Sequence, residues 1–201
     1  MQSLALIENW PVPTAAAAVV RADGTVAGTR GPTGRQFALA SVTKPLAAYA
    51  ALVAYEEGAI ELDEPAGPDG ATVRHLLAHT SGLAFDEHQV AAAPGTRRLY
   101  SNAGFEVLGE HIAKATEIPF ADYLRQAVLE PLGMSSTFLD GGASPAKDGV
   151  STVDDLVRFA AEVQQPRLLD ARTVAEAMSV AWPGLKGVFS DRAFIRRMDS
   201  S

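Results

Sequence analysis

Between residues 42 and 57 the chain carries a nearly unbroken apolar run, in which Leu46, Tyr49, Leu52 and Val53 recur at helical spacing and Gly58 stands where a helix would stop. Such a helix must be buried on most of its surface, so the remaining elements have to pack around it. Pro45 falls in its first turn, where a missing N–H is tolerated because early amides have no intrahelical partner. The run breaks at Tyr55-Glu56-Glu57, well short of the roughly 18 apolar residues of a membrane span. At 201 residues the chain is long enough to cover this helix within one domain.

Charge and cysteine content narrow the function. Lys and Arg number 17 against 24 Asp and Glu, a net charge of −7, which repels phosphate backbones and anionic headgroups. Neither nucleic acid nor a membrane surface is expected as a partner. There is no Cys, so disulfides, thiolate catalysis and cysteine-based metal sites are excluded. The first eight residues lack a basic segment and break their apolar run at Glu8, which reads as a cytoplasmic chain without a secretory leader.

Two short strands over 15–21 and 25–29 joined by Asp23-Gly24 form an expected hairpin. Thr72 is expected to cap a short helix through His79, ended by Ser81-Gly82. Helical periodicity returns at Phe105, Leu108 and Ile112, and again at Tyr123, Val128 and Leu129, between Pro119 and Pro131. Ser151 and Asp154 read as a capping box for a helix through Phe159, and a last helix starts near Asp170 and ends near Met178.

Ser41-Val42-Thr43-Lys44 opens the buried helix, and its i, i+3 spacing sets a hydroxyl and an amine on one helical face. Serine is a poor nucleophile at neutral pH without a base in reach, and Lys44 and Tyr100 are the candidates. Ser144-Pro145-Ala146-Lys147 matches the same pattern, but it lies in a Gly/Pro/Asp loop after Gly141-Gly142 and reads as a loop. Tyr100-Ser101-Asn102 stands at a loop-to-helix junction, where Ser101 or Asn102 also makes a good cap. The Asn102 amide can accept from Lys44 while donating to a substrate carbonyl. His75 and His79, four apart, have the spacing of two zinc ligands, yet no Glu follows His75 and no third ligand is signposted. A metal-dependent hydrolase built on them is the weaker alternative, and no cofactor is expected. His88 and His111 read as surface positions.

Taken together, Ser41-x-x-Lys44 and Tyr100-x-Asn102 resemble the first two motifs of the β-lactamase-related serine hydrolases, in the branch of class C β-lactamases, D-alanyl-D-alanine carboxypeptidases and esterases. Leu76-Leu77-Ala78-His79-Thr80-Ser81-Gly82-Leu83, Pro94-Gly95-Thr96, Pro131-Leu132-Gly133-Met134 and Ser151-Thr152-x-x-Asp155-Leu156 resemble that family's spacers, in its order, over residues 15 to 185. The resemblance implies an α/β (α+β) fold of the β-lactamase/penicillin-binding-protein type, helix-rich with a small antiparallel sheet. It also implies an acyl-enzyme on Ser41, a proton relay through Tyr100, and hydrolysis of an ester or amide (a β-lactam, a D-Ala peptide or an ester).

The family's third motif, Lys-Thr-Gly or His-x-Gly near the C-terminus, has no counterpart: the last His is His111, and Lys186-Gly187 lacks the intervening hydroxyl residue. The resemblance therefore reads residues 1–187 as a domain lacking its C-terminal strands and 188–201 as a tail. On that reading the Ser41 N–H is one oxyanion donor, the strand bearing the second is missing, and the 15–29 hairpin presents an unpaired edge for self-association. A shortened, non-catalytic binding protein is the alternative from outside the enzymes.

Overall fold

The computed structural model describes residues 2–185. Lys186, Gly187 and the segment 188–201, read above as the end of the domain and a tail, lie outside the described residues. A 3₁₀ segment, Gln2–Asn9, leads into the antiparallel hairpin of β1 (Ala17–Val20) and β2 (Val26–Arg30). Gly24 takes the left-handed φ the turn demands, +78°, and the Asp23 carboxylate accepts from the Thr25 N–H and hydroxyl. A bulge between Val19 and Val20 breaks the register; β1 is shorter than the expected 15–21, while β2 keeps its expected length and is shifted by one position. The hairpin is covered by Gln2–Asn9 and by α5 (Val153–Gln164), so Val19 and Val20 are half-buried and only Val26 is well exposed.

A second two-stranded sheet pairs β3 (Phe37–Ala38) with β4 (Val150–Ser151). Between these strands in the chain lie the helices that build the core. The buried helix forms as expected: α1 (Thr43–Glu56) is followed by Gly58 at φ +74°. It packs against α3 (Asn102–Thr116), α4 (Phe120–Leu124) and a π-helical turn at Arg125–Leu129 that carries Val128 and Leu129 inward. Leu46, Ala50, Leu108, Ile112, Leu124, Val128 and Met134 are all buried in one continuous cluster. Across α1, Tyr49 meets Phe159 of α5 edge to face with ring centroids 5.4 Å apart. The chain ends its described course with α6 (Ala171–Ala177), capped by Asp170.

Three expectations are corrected. The cap of α5 is Thr152, whose hydroxyl accepts from the Asp155 N–H, while Ser151 belongs to β4 and hydrogen-bonds with Thr137. The short helix α2 spans only Val73–Leu77, because His75 Nδ1 accepts from the Thr72 N–H at its start and the backbone turns left-handed at His79, φ +57°. His79 is thus outside the helix. His111 is not a surface position: its ring is largely covered and bonds Glu64 at 2.5 Å, whereas His88 is exposed beside Glu106.

No helix among the described residues is long and apolar enough to cross a membrane.

Candidate active site

Ser41 sits on a 3₁₀ turn, Ala40–Val42, that leads straight into α1. The turn is held in an unfavourable shape, since Ala40 adopts φ +45°, a region that a residue with a Cβ enters only when its surroundings hold it there. Those surroundings come from far along the chain. Thr43 Oγ1 donates to the Ala40 carbonyl at 2.7 Å and accepts from the Gly149 N–H at 3.0 Å, and the Leu39 N–H donates to the Gly149 carbonyl at 2.8 Å. A Cβ on Gly149 would lie 2.9 Å from Thr43 Oγ1, which is fully buried and bonded twice and so cannot yield cheaply. Gly149→Ala is therefore expected to cost roughly 1–3 kcal/mol of stability and to displace the Ser41 turn, measured by thermal unfolding together with the rate of Ser41 labelling. Unchanged values in both would remove Gly149 from the support of the site.

Lys44, one turn further on, is buried, with 4% of its surface exposed. Its Nζ donates to Ser41 Oγ at 3.3 Å, to Asn102 Oδ1 at 2.5 Å and to the Ala146 carbonyl at 2.9 Å, one acceptor for each ammonium N–H. It also stands 4.6 Å from the Tyr100 ring centroid and 5.7 Å from that of Phe105, within cation–π range of both. Burial of such a group is tolerated because every donor is met.

Asn102 opens α3 directly after Ser101, whose hydroxyl accepts from the Gly104 N–H at 2.8 Å as the helix cap. The motif thus combines a cap with a side chain aimed at the lysine. The other end of the Asn102 amide donates to Asp86 Oδ1 at 2.7 Å. Asp86 in turn lies 3.9 Å from Lys147 Nζ. Tyr100 packs between Phe85, at 6.1 Å between centroids, and His79, at 4.5 Å.

The structure accordingly gathers Ser41, Lys44, Tyr100 and Asn102 around one amine. Ser144 is elsewhere in its bonding, with its hydroxyl donating to Glu106 Oε1 at 2.7 Å and its loop folded so that Ala146 reaches Lys44. His75 and His79 do not share a face: one ring lies against Trp182 and bonds Thr72, the other packs on Tyr100 and Phe105. Two participants escaped the sequence. The Ala146 carbonyl carries no side-chain signature, and Asp86 sits in a loop whose path is set by tertiary contacts. The recurrence of Ser-x-x-Lys at Ser144–Lys147 marked the first only by accident.

Residues 6–193 match the β-lactamase family model. Among solved structures, a β-lactamase from Mycobacterium bovis superposes with a TM-score of 0.90 at 54% identity, covering 92% of this chain and 68% of that one. A D-amino acid amidase from Ochrobactrum anthropi superposes with a TM-score of 0.65 at 27% identity, covering 72% of this chain and 60% of that one. A penicillin-binding protein of Bacillus subtilis is 30% identical over an alignment of 134 positions that covers 50% of this chain and 30% of that protein. An esterase of Burkholderia gladioli is 32% identical over an alignment of 145 positions that covers 49% of this chain and 37% of that protein. The chain spans about a third of the length of these two curated relatives.

Proposed function

The chain belongs to the β-lactamase family and has its fold, and on that premise we propose that it is a serine hydrolase working through an acyl-enzyme on Ser41. The observation that carries this reading is the 3.3 Å approach of Lys44 Nζ to an exposed Ser41 Oγ, on a turn strained into position ahead of a buried helix. In its amine form Lys44 keeps two N–H groups for Asn102 Oδ1 and the Ala146 carbonyl, and its lone pair takes the Ser41 hydroxyl proton as Oγ bonds to the substrate carbonyl carbon. The oxyanion so formed faces the Ser41 N–H, which as an early amide of the turn has no helical acceptor to satisfy.

Collapse of that intermediate breaks the C–N or C–O bond, and the leaving group takes up the proton by way of Lys44 and Tyr100. Water then attacks the ester on Ser41, and the same groups move its proton in reverse order. Asn102, fixed by Asp86 on one side, holds the lysine on the other. The substrate class is an ester or amide: a β-lactam, a D-alanyl peptide or an ester. This range is supported by relatives whose names are β-lactamase, penicillin-binding protein, D-amino acid amidase and esterase.

An activated fluorophosphonate is expected to add to Ser41 alone, located by intact mass and peptide mapping. An adduct on Ser144, or equal labelling of Ser41→Ala, overturns the assignment. A folded chain with no adduct at all supports instead a binding protein that has kept the pocket without turnover.

A further inference from the structure

Tyr100 is held from both sides of the chain by one residue that the proposed chemistry does not use. The Leu99 N–H donates to the His79 carbonyl at 2.8 Å, and the Ser101 N–H donates to His79 Nδ1 at 3.2 Å. Between these two bonds the imidazole lies against the Tyr100 ring, 4.5 Å between centroids, with Phe105 on it at 5.2 Å. His79 itself adopts φ +57°, which turns the chain out of α2 so that both its carbonyl and its ring address the strand-like segment carrying Tyr100. A helical continuation through His79 would supply neither bond.

We infer that His79 is the positioning residue for Tyr100 and Asn102, acting as a hydrogen-bond acceptor at Nδ1 and therefore in the neutral tautomer that carries its proton on Nε2. Its surroundings keep it neutral. Burial, then the charges of Lys44 and Arg98, hold its pKa down at about 4 against an ordinary 6.5, with the Tyr100 ring against it and Arg74 and Glu176 lining the same cleft. The sign of the stability effect follows. The unfolded chain binds this proton first, so His79 contributes nothing above about pH 6.5, lowers stability increasingly as pH falls towards about 4, and exerts its full penalty below that.

Two variants separate the acceptor from the ring. His79→Asn keeps an oxygen close to the place of Nδ1 and tolerates the left-handed backbone, but it loses the ring. His79→Phe keeps a ring of similar size and loses the acceptor. The inference rests on the serine-hydrolase reading only for its kinetic arm, the rate at which a fluorophosphonate labels Ser41. That rate is expected to stay within about threefold in His79→Asn and to fall about tenfold or more in His79→Phe.

The second arm needs no activity. Ser101 amide hydrogen exchange, read by NMR, is expected to accelerate in His79→Phe but not in His79→Asn, and ¹⁵N shifts of the wild-type imidazole are expected to show a bare Nδ1. Thermal melts confirm that both variants are folded. A proton on Nδ1, or exchange at Ser101 that responds to loss of the ring and not of the acceptor, overturns the inference whatever the labelling shows. A wild-type chain that exchanges as expected but never labels refutes the hydrolase reading and leaves the role of His79 standing.

Discussion

Replacing Lys44 by arginine is expected to slow acylation of Ser41 by about 10²- to 10⁴-fold, the usual worth of a positioned general base. A guanidinium keeps the positive charge and the capacity to donate, but it does not surrender a proton near neutral pH. Lys44→Met complements it by keeping an unbranched side chain while removing both charge and donors, and it leaves Asn102 Oδ1 and the Ala146 carbonyl without their partner. Both variants should lose acylation, measured as the rate of fluorophosphonate adduct formation on chains whose melting curves show they are folded. The Ser41 turn is braced by Thr43 and Gly149 independently of Lys44, so its shape survives either change. An arginine variant that reacts within about tenfold of the parent, a difference of ~1.4 kcal/mol, would show that the lysine supplies charge and not proton transfer.

The largest effect on stability is expected at Glu162, on the opposite side of α1. Its carboxylate is buried and accepts three hydrogen bonds through Oε1, from the Tyr49 hydroxyl at 2.7 Å and from the N–H groups of Arg167 and Leu168 at 2.9 and 2.8 Å. Burial, and then this carboxylate, push the Tyr49 phenol above the usual tyrosine range, so it remains a neutral donor throughout the physiological range. Glu162→Ala removes the acceptor for all three and opens a cavity, at a cost of about 3–5 kcal/mol. Glu162→Gln retains an amide oxygen and should lose less than half of that. Denaturant unfolding of the two variants checks it. Equal losses would mean that the charge, and not the acceptor geometry, holds the end of α5 to α1.

Much of the site could be read because its parts lie close together in the chain. Ser41 and Lys44 share a helical turn, and the density of apolar residues after them fixed both the helix and its burial. Asn102 and Tyr100 were visible because Ser101 announces a helix start beside them. The failures have one physical origin. The spacing of His79 from His75 fits a helical face, whereas tertiary bonds to Leu99 and Ser101 bend the backbone away after Leu77. The α5 cap moved by one residue because Ser151 was already committed to β4 and to Thr137, a pairing no local pattern reveals. Asp86 and the Ala146 carbonyl enter the site from loops, and a carbonyl is common to every residue.

The bond from Lys44 to the Ala146 carbonyl joins positions 102 residues apart. During synthesis Ser41 and Lys44 leave the ribosome together, but the third acceptor of the Lys44 amine emerges only after those intervening residues have been added. At about 5–20 residues per second the interval is roughly 5–20 s. Until then Lys44 lacks one of its three acceptors, and Gly149, which braces the Ser41 turn, is later still. If Ser41 is the nucleophile proposed above, it is made beside its partner yet would react only once Ala146 and Gly149 have emerged, so a nascent chain would carry no acylating centre able to react with passing esters.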